Sequence, residues 1–188
     1  IPLRLVGSEM CIRDSLHLMD YLYDVSDYLA INISSPNTKD LRKLTANDFF
    51  KNLIDKIINK SEQLSGGASD KKSIFLKLSP NESKENLENI ISYSAANGID
   101  GFILTNTSVN HNYELAGGVS GAPLKQDAEE CLKFSRSILG PNIPIIASGG
   151  IMSKEDAEQR FHLSADLIQL YSGFVFQGND LLQDCLKI

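Results

Sequence analysis

The 188-residue chain has no tryptophan, only three cysteines, and fewer basic residues (18) than acidic ones (24). Each shortage narrows what it can be. Cys11, Cys131 and Cys185 are too few, and odd in number, for a disulfide framework, which fits a reducing compartment. None has a CxxC partner or a histidine at metal spacing, so no zinc site is expected. The net charge of −6 leaves no basic stripe for a phosphate backbone, so nucleic acid is not an expected partner. No apolar run reaches the roughly 18 residues that span a bilayer. GxGxxG and Walker A patterns are both missing, which weighs against dinucleotide and P-loop folds.

What remains is ordinary globular composition, 42% hydrophobic, at a length that suits one domain. Residues 1–15 (IPLRLVGSEMCIRDS) stand apart. Their apolar part is too short and too interrupted by charge for a signal peptide. The stretch VGSEMCIRDS looks like translated adapter sequence from read assembly. The expectation is a non-native segment at 1–15 and a domain over 16–188.

From Leu16 onward, short apolar runs alternate with helical periodicity. Strands are predicted at Tyr28–Ile33, Ile74–Leu78, Gly101–Leu104, Ile143–Ala147 and Asp166–Leu170. Helices are predicted over Leu16–Asp27 (Leu18, Tyr21, Leu22 and Val25 at helical spacing), 47–64, Ser83–Asn97, Pro123–Leu139, a short one from Ser153, and Asn179–Leu186. Ser153 with Asp156 three residues on resembles a capping box. Strict strand–helix alternation, with strands apolar on both faces, means an α/β fold with a parallel sheet.

Each strand runs into a small or polar cluster: Asn32/Ser35/Asn37, Lys77, Thr105-Asn106-Thr107, Ser148-Gly149-Gly150 and Tyr171-Ser172. A single such cluster is usually a turn. Five at five strand ends fit a shared ligand site, because the C-terminal ends of parallel strands converge. Lys77 is the sharpest of these residues. Inside IFLKL it either snorkels to solvent or reaches an anionic or electron-accepting ligand. The Gly149-Gly150 and Tyr171-Ser172-Gly173 turns expose backbone N–H groups after the last two strands, the usual phosphate position in (β/α)8 barrels. His17, His111 and His162 are scattered and read as surface or packing residues.

In order along the chain stand Asn32-Ile33-Ser34-Ser35-Pro36-Asn37-Thr38 with Leu41-Arg42, Lys77-Leu78-Ser79-Pro80, Gly98-Ile99-Asp100-Gly101 leading into Thr105-Asn106-Thr107, Gly117-Gly118-Val119-Ser120-Gly121-Ala122-Pro123-Leu124, Ser148-Gly149-Gly150-Ile151 and Gln169-Leu170-Tyr171-Ser172-Gly173-Phe174. These six motifs resemble the dihydroorotate dehydrogenase family, in its class 2, quinone-dependent branch. The resemblance implies a (β/α)8 barrel with FMN at the C-terminal strand ends, of which about five C-terminal βα units are present. It implies oxidation of dihydroorotate to orotate in pyrimidine biosynthesis, with a quinone as final electron acceptor. Ser35 matches the class 2 base, where class 1 enzymes carry Cys. Asn32, Asn37, Asn106 and Thr107 match substrate contacts. Asn32, Lys77, Thr105, Gly121, Gly150, Tyr171 and Ser172 match flavin contacts.

The family further implies a membrane-surface segment upstream, peripheral on the cytoplasmic side of a bacterial inner membrane. The Thr107–Gly117 loop looks short for the family. On this reading the chain is an incomplete piece, expected to be inactive alone. A class 1 enzyme, another FMN barrel oxidoreductase and a non-catalytic half-barrel remain as alternatives.

Overall fold

A computed structural model of the chain describes residues 8–34, 48–67, 71–114 and 117–188. Five strands form one sheet in the order β1-β2-β3-β4-β5, with every neighbouring pair parallel. They are β1 (Tyr28–Asn32), β2 (Ser73–Leu78), β3 (Gly101–Leu104), β4 (Ile145–Ser148) and β5 (Leu167–Gln169). Between and around them run α1 (Ser8–Leu22), α2 (Asp48–Ser65), α3 (Lys84–Ala96), α4 (Lys125–Leu139), α5 (Lys154–His162), α6 (Ser172–Gln177) and α7 (Asn179–Cys185). Among the described residues no helix is long and apolar enough to cross a membrane.

Local chemistry sets the ends of these elements. Ser83 caps α3 by accepting the Asn86 N–H, and Ser153 caps α5 by accepting the Asp156 N–H. Gly98 follows α3 with φ +96°, a conformation open to glycine. Two aspartates repeat one device at the strand entrances. Asp100, just before β3, accepts the Ile74 N–H of β2 at 2.7 Å. Asp166, just before β5, accepts the Ile145 N–H of β4 at 2.7 Å and holds Arg136 at 2.7 Å. Each carboxylate thus satisfies an orphan donor at the start of a neighbouring strand.

Strand alternation sorts the two faces of the sheet. Ile74, Leu76, Leu78, Phe102, Leu104, Ile145 and Ala147 join the helix-covered core with Ile54, Ile57, Ile90, Ile91 and Leu132. Phe75, Ile103 and Ile146 form a separate cluster on the opposite, concave face. Gly101 admits the Phe75 ring there, because a Cβ at Gly101 would lie 2.3 Å from Phe75 Cε1. Further along the same face stand Lys77 and Gln169, which reach each other across the sheet.

Several elements differ from the sequence reading. The expected third helix opens with a 3-10 turn, Ala122–Leu124, and α4 proper starts at Lys125. β4 starts at Ile145, after Pro144, which offers only its carbonyl, to the Phe102 N–H. The short helix α6 was not expected; Tyr171-Ser172-Gly173 read as a plain turn. α1 begins at Ser8, ahead of the Ser15 boundary expected from sequence, and Ile12 is buried in the core. The α1 face expected from Leu18, Tyr21, Leu22 and Val25 is largely exposed (56%, 67%, 44% and 79%). Ile12, Met19 and Tyr23 are buried instead, and Tyr23 meets Ser61 of α2. The Leu18–Leu22 side borders the outer edge of β1, where no further strand pairs among the described residues.

Candidate functional site

The C-terminal strand ends enclose a cavity of about 400 Å³. Its lining draws on β2 (Lys77), the β3 end (Thr105, Asn106, Thr107), the glycine-rich loop (Ser120, Gly121), the β4 end (Ser148, Gly149, Gly150) and the β5 end (Gln169, Tyr171, Ser172, Gly173). The volume lies within the usual range for small-molecule sites.

Two uncharged amides shape one side. Asn106 Nδ2 donates to Ser34 O and Ser34 Oγ, both at 3.1 Å, and to Asn32 Oδ1 at 3.4 Å. Asn32 Oδ1 also accepts from the Ser34 N–H at 3.1 Å and from Ser34 Oγ at 3.0 Å. Asn106 Oδ1 accepts the Thr107 N–H at 2.9 Å. The ends of β1 and β3 are therefore tied by side chains beyond the ladder itself. Thr105 is buried, and its N–H donates to Ser148 O at 2.7 Å, carrying the tie on to β4. Asn81, just after β2, anchors the loop after β3 by donating to Ser108 Oγ at 2.9 Å and accepting the Val109 N–H at 2.9 Å.

Lys77 is half-buried, and its ammonium donates to Gln169 Oε1 at 3.2 Å. Burial lowers its pKa from the ordinary lysine value. A neutral amide is a weak partner for such a cation, which leaves the charge available to a ligand.

At the other end of the cavity the backbone does the work. Gly150 has φ +73°, and a Cβ there would lie 2.3 Å from Lys125 Cα. No side chain fits there, so the turn packs directly on the start of α4 while its backbone lines the cavity. Ser120 Oγ and Ser172 Oγ lie 2.7 Å apart, joining the glycine-rich loop to the start of α6. Gly121, at φ +75°, sits against Ser172. Tyr171 is exposed at the cavity rim (77%).

Of the residues expected from sequence, Asn32, Lys77, Thr105, Asn106, Thr107, Gly121, Gly150, Tyr171 and Ser172 all stand at the C-terminal strand ends. All but Asn32 line the cavity, and Asn32 is joined to it through Asn106. Ser35 and Asn37 lie outside the described residues.

The sequence reading missed Gln169, Asp156 and Arg160. Gln169 carried a signal, being polar inside the apolar run DLIQL as Lys77 is inside IFLKL. Asp156 and Arg160 share one helix face at i, i+4 spacing. Asp156 pairs with Lys125 and accepts the Met152 N–H at 2.9 Å. Burial pushes the Asp156 carboxyl up, but Lys125, the Met152 N–H and Arg160 outweigh it and hold the group below the usual carboxylate range.

A parallel sheet with helices on one face and a polar cavity at its C-terminal end defines an α/β protein of the (β/α)8-barrel class, present here as an open arc of five strands. The family described as dihydroorotate dehydrogenase matches residues 1–187, and the chain belongs to that family. Among its relatives is a dihydroorotate dehydrogenase (quinone) of Dichelobacter nodosus, 36% identical over 192 residues, covering 98% of this chain and 57% of the relative. Another, of Wigglesworthia glossinidia brevipalpis, is 38% identical over 181 residues, covering 93% and 54%. The crystal structure of DHODH from Eimeria tenella in complex with ferulenol superposes with a TM-score of 0.82 at 27% identity, covering 94% of this chain and 54% of that one. The chain thus spans about half the length of the curated relatives it matches.

Proposed function

We infer that the protein carrying this chain oxidises dihydroorotate to orotate, with FMN in the cavity and a quinone as final electron acceptor, as a step of pyrimidine biosynthesis. The observation that carries the reading is the convergence on one cavity of a lysine held by a neutral amide, the Asn106 amide tied to Asn32, and a side-chain-free glycine turn. The residues present fit FMN. Gly150 offers bare backbone whose N–H groups would suit a phosphate, and Lys77 is a cation that would offset the negative charge of a reduced flavin ring. Thr105, Gly121, Tyr171 and Ser172 would complete the cradle, with Asn32 at its substrate side. When bound, FMN would accept the hydride that leaves C6 of dihydroorotate.

The chain's own residues supply binding and proton handling. Asn32, Asn37, Asn106 and Thr107 would hold the pyrimidine, since each amide offers both donor and acceptor to a ring that alternates them. The Asn32–Ser34–Asn106 ties fix two of these amides before substrate arrives, which limits the ordering cost of binding. Ser35 would take the C5 proton. A hydroxyl is a poor base at its free pKa, so the role depends on geometry and a proton path. Quinone binding, and docking on the cytoplasmic face of a bacterial inner membrane, would fall to chain segments outside these 188 residues.

The test uses the complete gene product. Ser35→Ala is expected to keep its flavin yet lose roughly 10²–10⁴-fold in kcat for dihydroorotate-dependent quinone reduction, the usual worth of a general base. Unchanged turnover would remove Ser35 from the reaction. An unsubstituted protein that binds no flavin would remove the reading altogether.

A further inference from the structure

We propose that Arg160, which does not touch the cavity, is a positioning residue for the Gly149-Gly150 turn and through it for the phosphate end of the ligand. The proposal rests on the flavin reading above. Arg160 is completely buried, the largest side chain to be so among the described residues. Its guanidinium joins two elements to its own helix. One amino group donates to Gly149 O at 2.9 Å and to Lys125 O at 3.4 Å. The other lies 2.7 Å from Glu129 Oε1 on α4. Nε has no partner. An apolar side chain would fill such a position without the desolvation cost of a charge, so packing alone does not account for an arginine here.

The bond to Gly149 O fixes a direction. A trans peptide holds its C=O and N–H on opposite sides of the chain. Turning the Gly149 carbonyl toward Arg160 therefore turns the Gly150 N–H away from it, on the side where Gly149, Gly150 and Ile151 line the cavity. Among the described residues the Gly150 N–H makes no hydrogen bond. Four residues earlier on the same helix, Asp156 accepts the Met152 N–H at 2.9 Å and pairs with Lys125. One face of α5 thus straps the turn at both ends, at Gly149 by a cation and at Met152 by an anion. Arg160 also grips the first residue of α4, whose backbone is the wall that Gly150 approaches. Backbone donors aimed in advance are what an anion site needs, because no reorganisation is then required on binding.

The experiment compares FMN with riboflavin, which differs only in lacking the phosphate, on the complete gene product by fluorescence titration. Arg160→Met is expected to weaken FMN by about tenfold, the loss of one charge-assisted contact, while riboflavin changes by less than about twofold. Arg160→Lys should fall between, since one ammonium cannot span both carbonyls. Equal losses for both flavins, or a lower Tm with the FMN preference intact, would overturn the proposal. Should R160M not fold, R160K decides alone: a reduced preference supports the role and an unchanged one overturns it. A second readout needs no flavin. Amide hydrogen exchange at Gly150 and Ile151, referenced to Leu76 and Phe102 in the sheet, is expected to slow on adding inorganic phosphate to the unsubstituted protein but not to R160M. If the unsubstituted protein bound neither flavin, the flavin reading would fall, yet this phosphate comparison would still decide Arg160: equal slowing in both proteins would overturn its role.

Discussion

Lys77 stands in the cavity at a cost to the fold. Its side chain is half-buried, its ammonium has only a neutral amide as hydrogen-bond partner among the described residues, and burial lowers its pKa. The sign follows directly. The unfolded chain holds the lysine proton more tightly than the folded one, so this group lowers stability below its folded pKa, and the penalty fades as pH rises through that value. Lys77→Met should therefore raise the Tm of the flavin-free protein by a few degrees. It should also make the midpoint potential of bound FMN more negative by about 30–60 mV, the equivalent of losing one charged hydrogen bond in a two-electron couple. An unchanged potential would leave Lys77 with no electronic role. Cys131 is the contrasting case. Burial pushes its thiol up to about 12, which makes it inert packing.

The glycine turn after β4 lines the cavity and tolerates little substitution. A methyl group at Gly150 meets both a positive φ and the Lys125 backbone, at 2.3 Å from Cα and 2.6 Å from N. Gly150→Ala should cost roughly 2–4 kcal/mol in denaturant unfolding, the sum of conformational strain and overpacking. Gly140→Ala is the control, with φ +64° but nothing within 4 Å; it should lose only the conformational part. Equal losses would mean that contact with α4 is unimportant.

This turn also marks the limit of what sequence reveals. Ser148-Gly149-Gly150 is legible as a bare backbone turn because glycine and strand-end position are local signals. That Gly150 abuts Lys125, or that Arg160 holds Gly149, is not local, since the partners stand 25 and 11 positions apart. The five strands were legible for the same reason that α1's buried face was not. Short apolar runs bounded by turns declare themselves, whereas Leu18, Tyr21, Leu22 and Val25 have the right spacing and the wrong neighbour. α6 escaped because six residues after a Tyr-Ser-Gly turn carry too little periodicity to read.

As a whole the molecule is an arc whose outermost strands, β1 and β5, each pair on one side only among the described residues. Exposed apolar side chains gather toward these margins, with Leu18, Leu22 and Tyr28 near β1 and Leu167, Phe174 and Phe176 near β5. Stability should follow this geometry. For the isolated 188-residue chain, amide exchange is expected to be slowest in β2, β3 and β4 and faster by at least about tenfold in β1 and β5, the signature of local opening at unpaired edges. Uniform protection across all five strands would show that the edges are covered, most simply by another copy of the chain.

The alternation along β2 carries one more consequence. Ile74, Leu76 and Leu78 lie under the helices, while Phe75 and Lys77 face the hollow. A one-residue slip of this strand would exchange the two sets. Lys77 would enter the dry layer against Ile54 and Ile90 with no counterion, and Leu76 or Leu78 would take its place beside the ligand. The lysine thus acts as a checkpoint on assembly: a sheet slipped by one residue must bury a charge, so the same side chain that faces the hollow penalises the register in which the hollow would lose its cation.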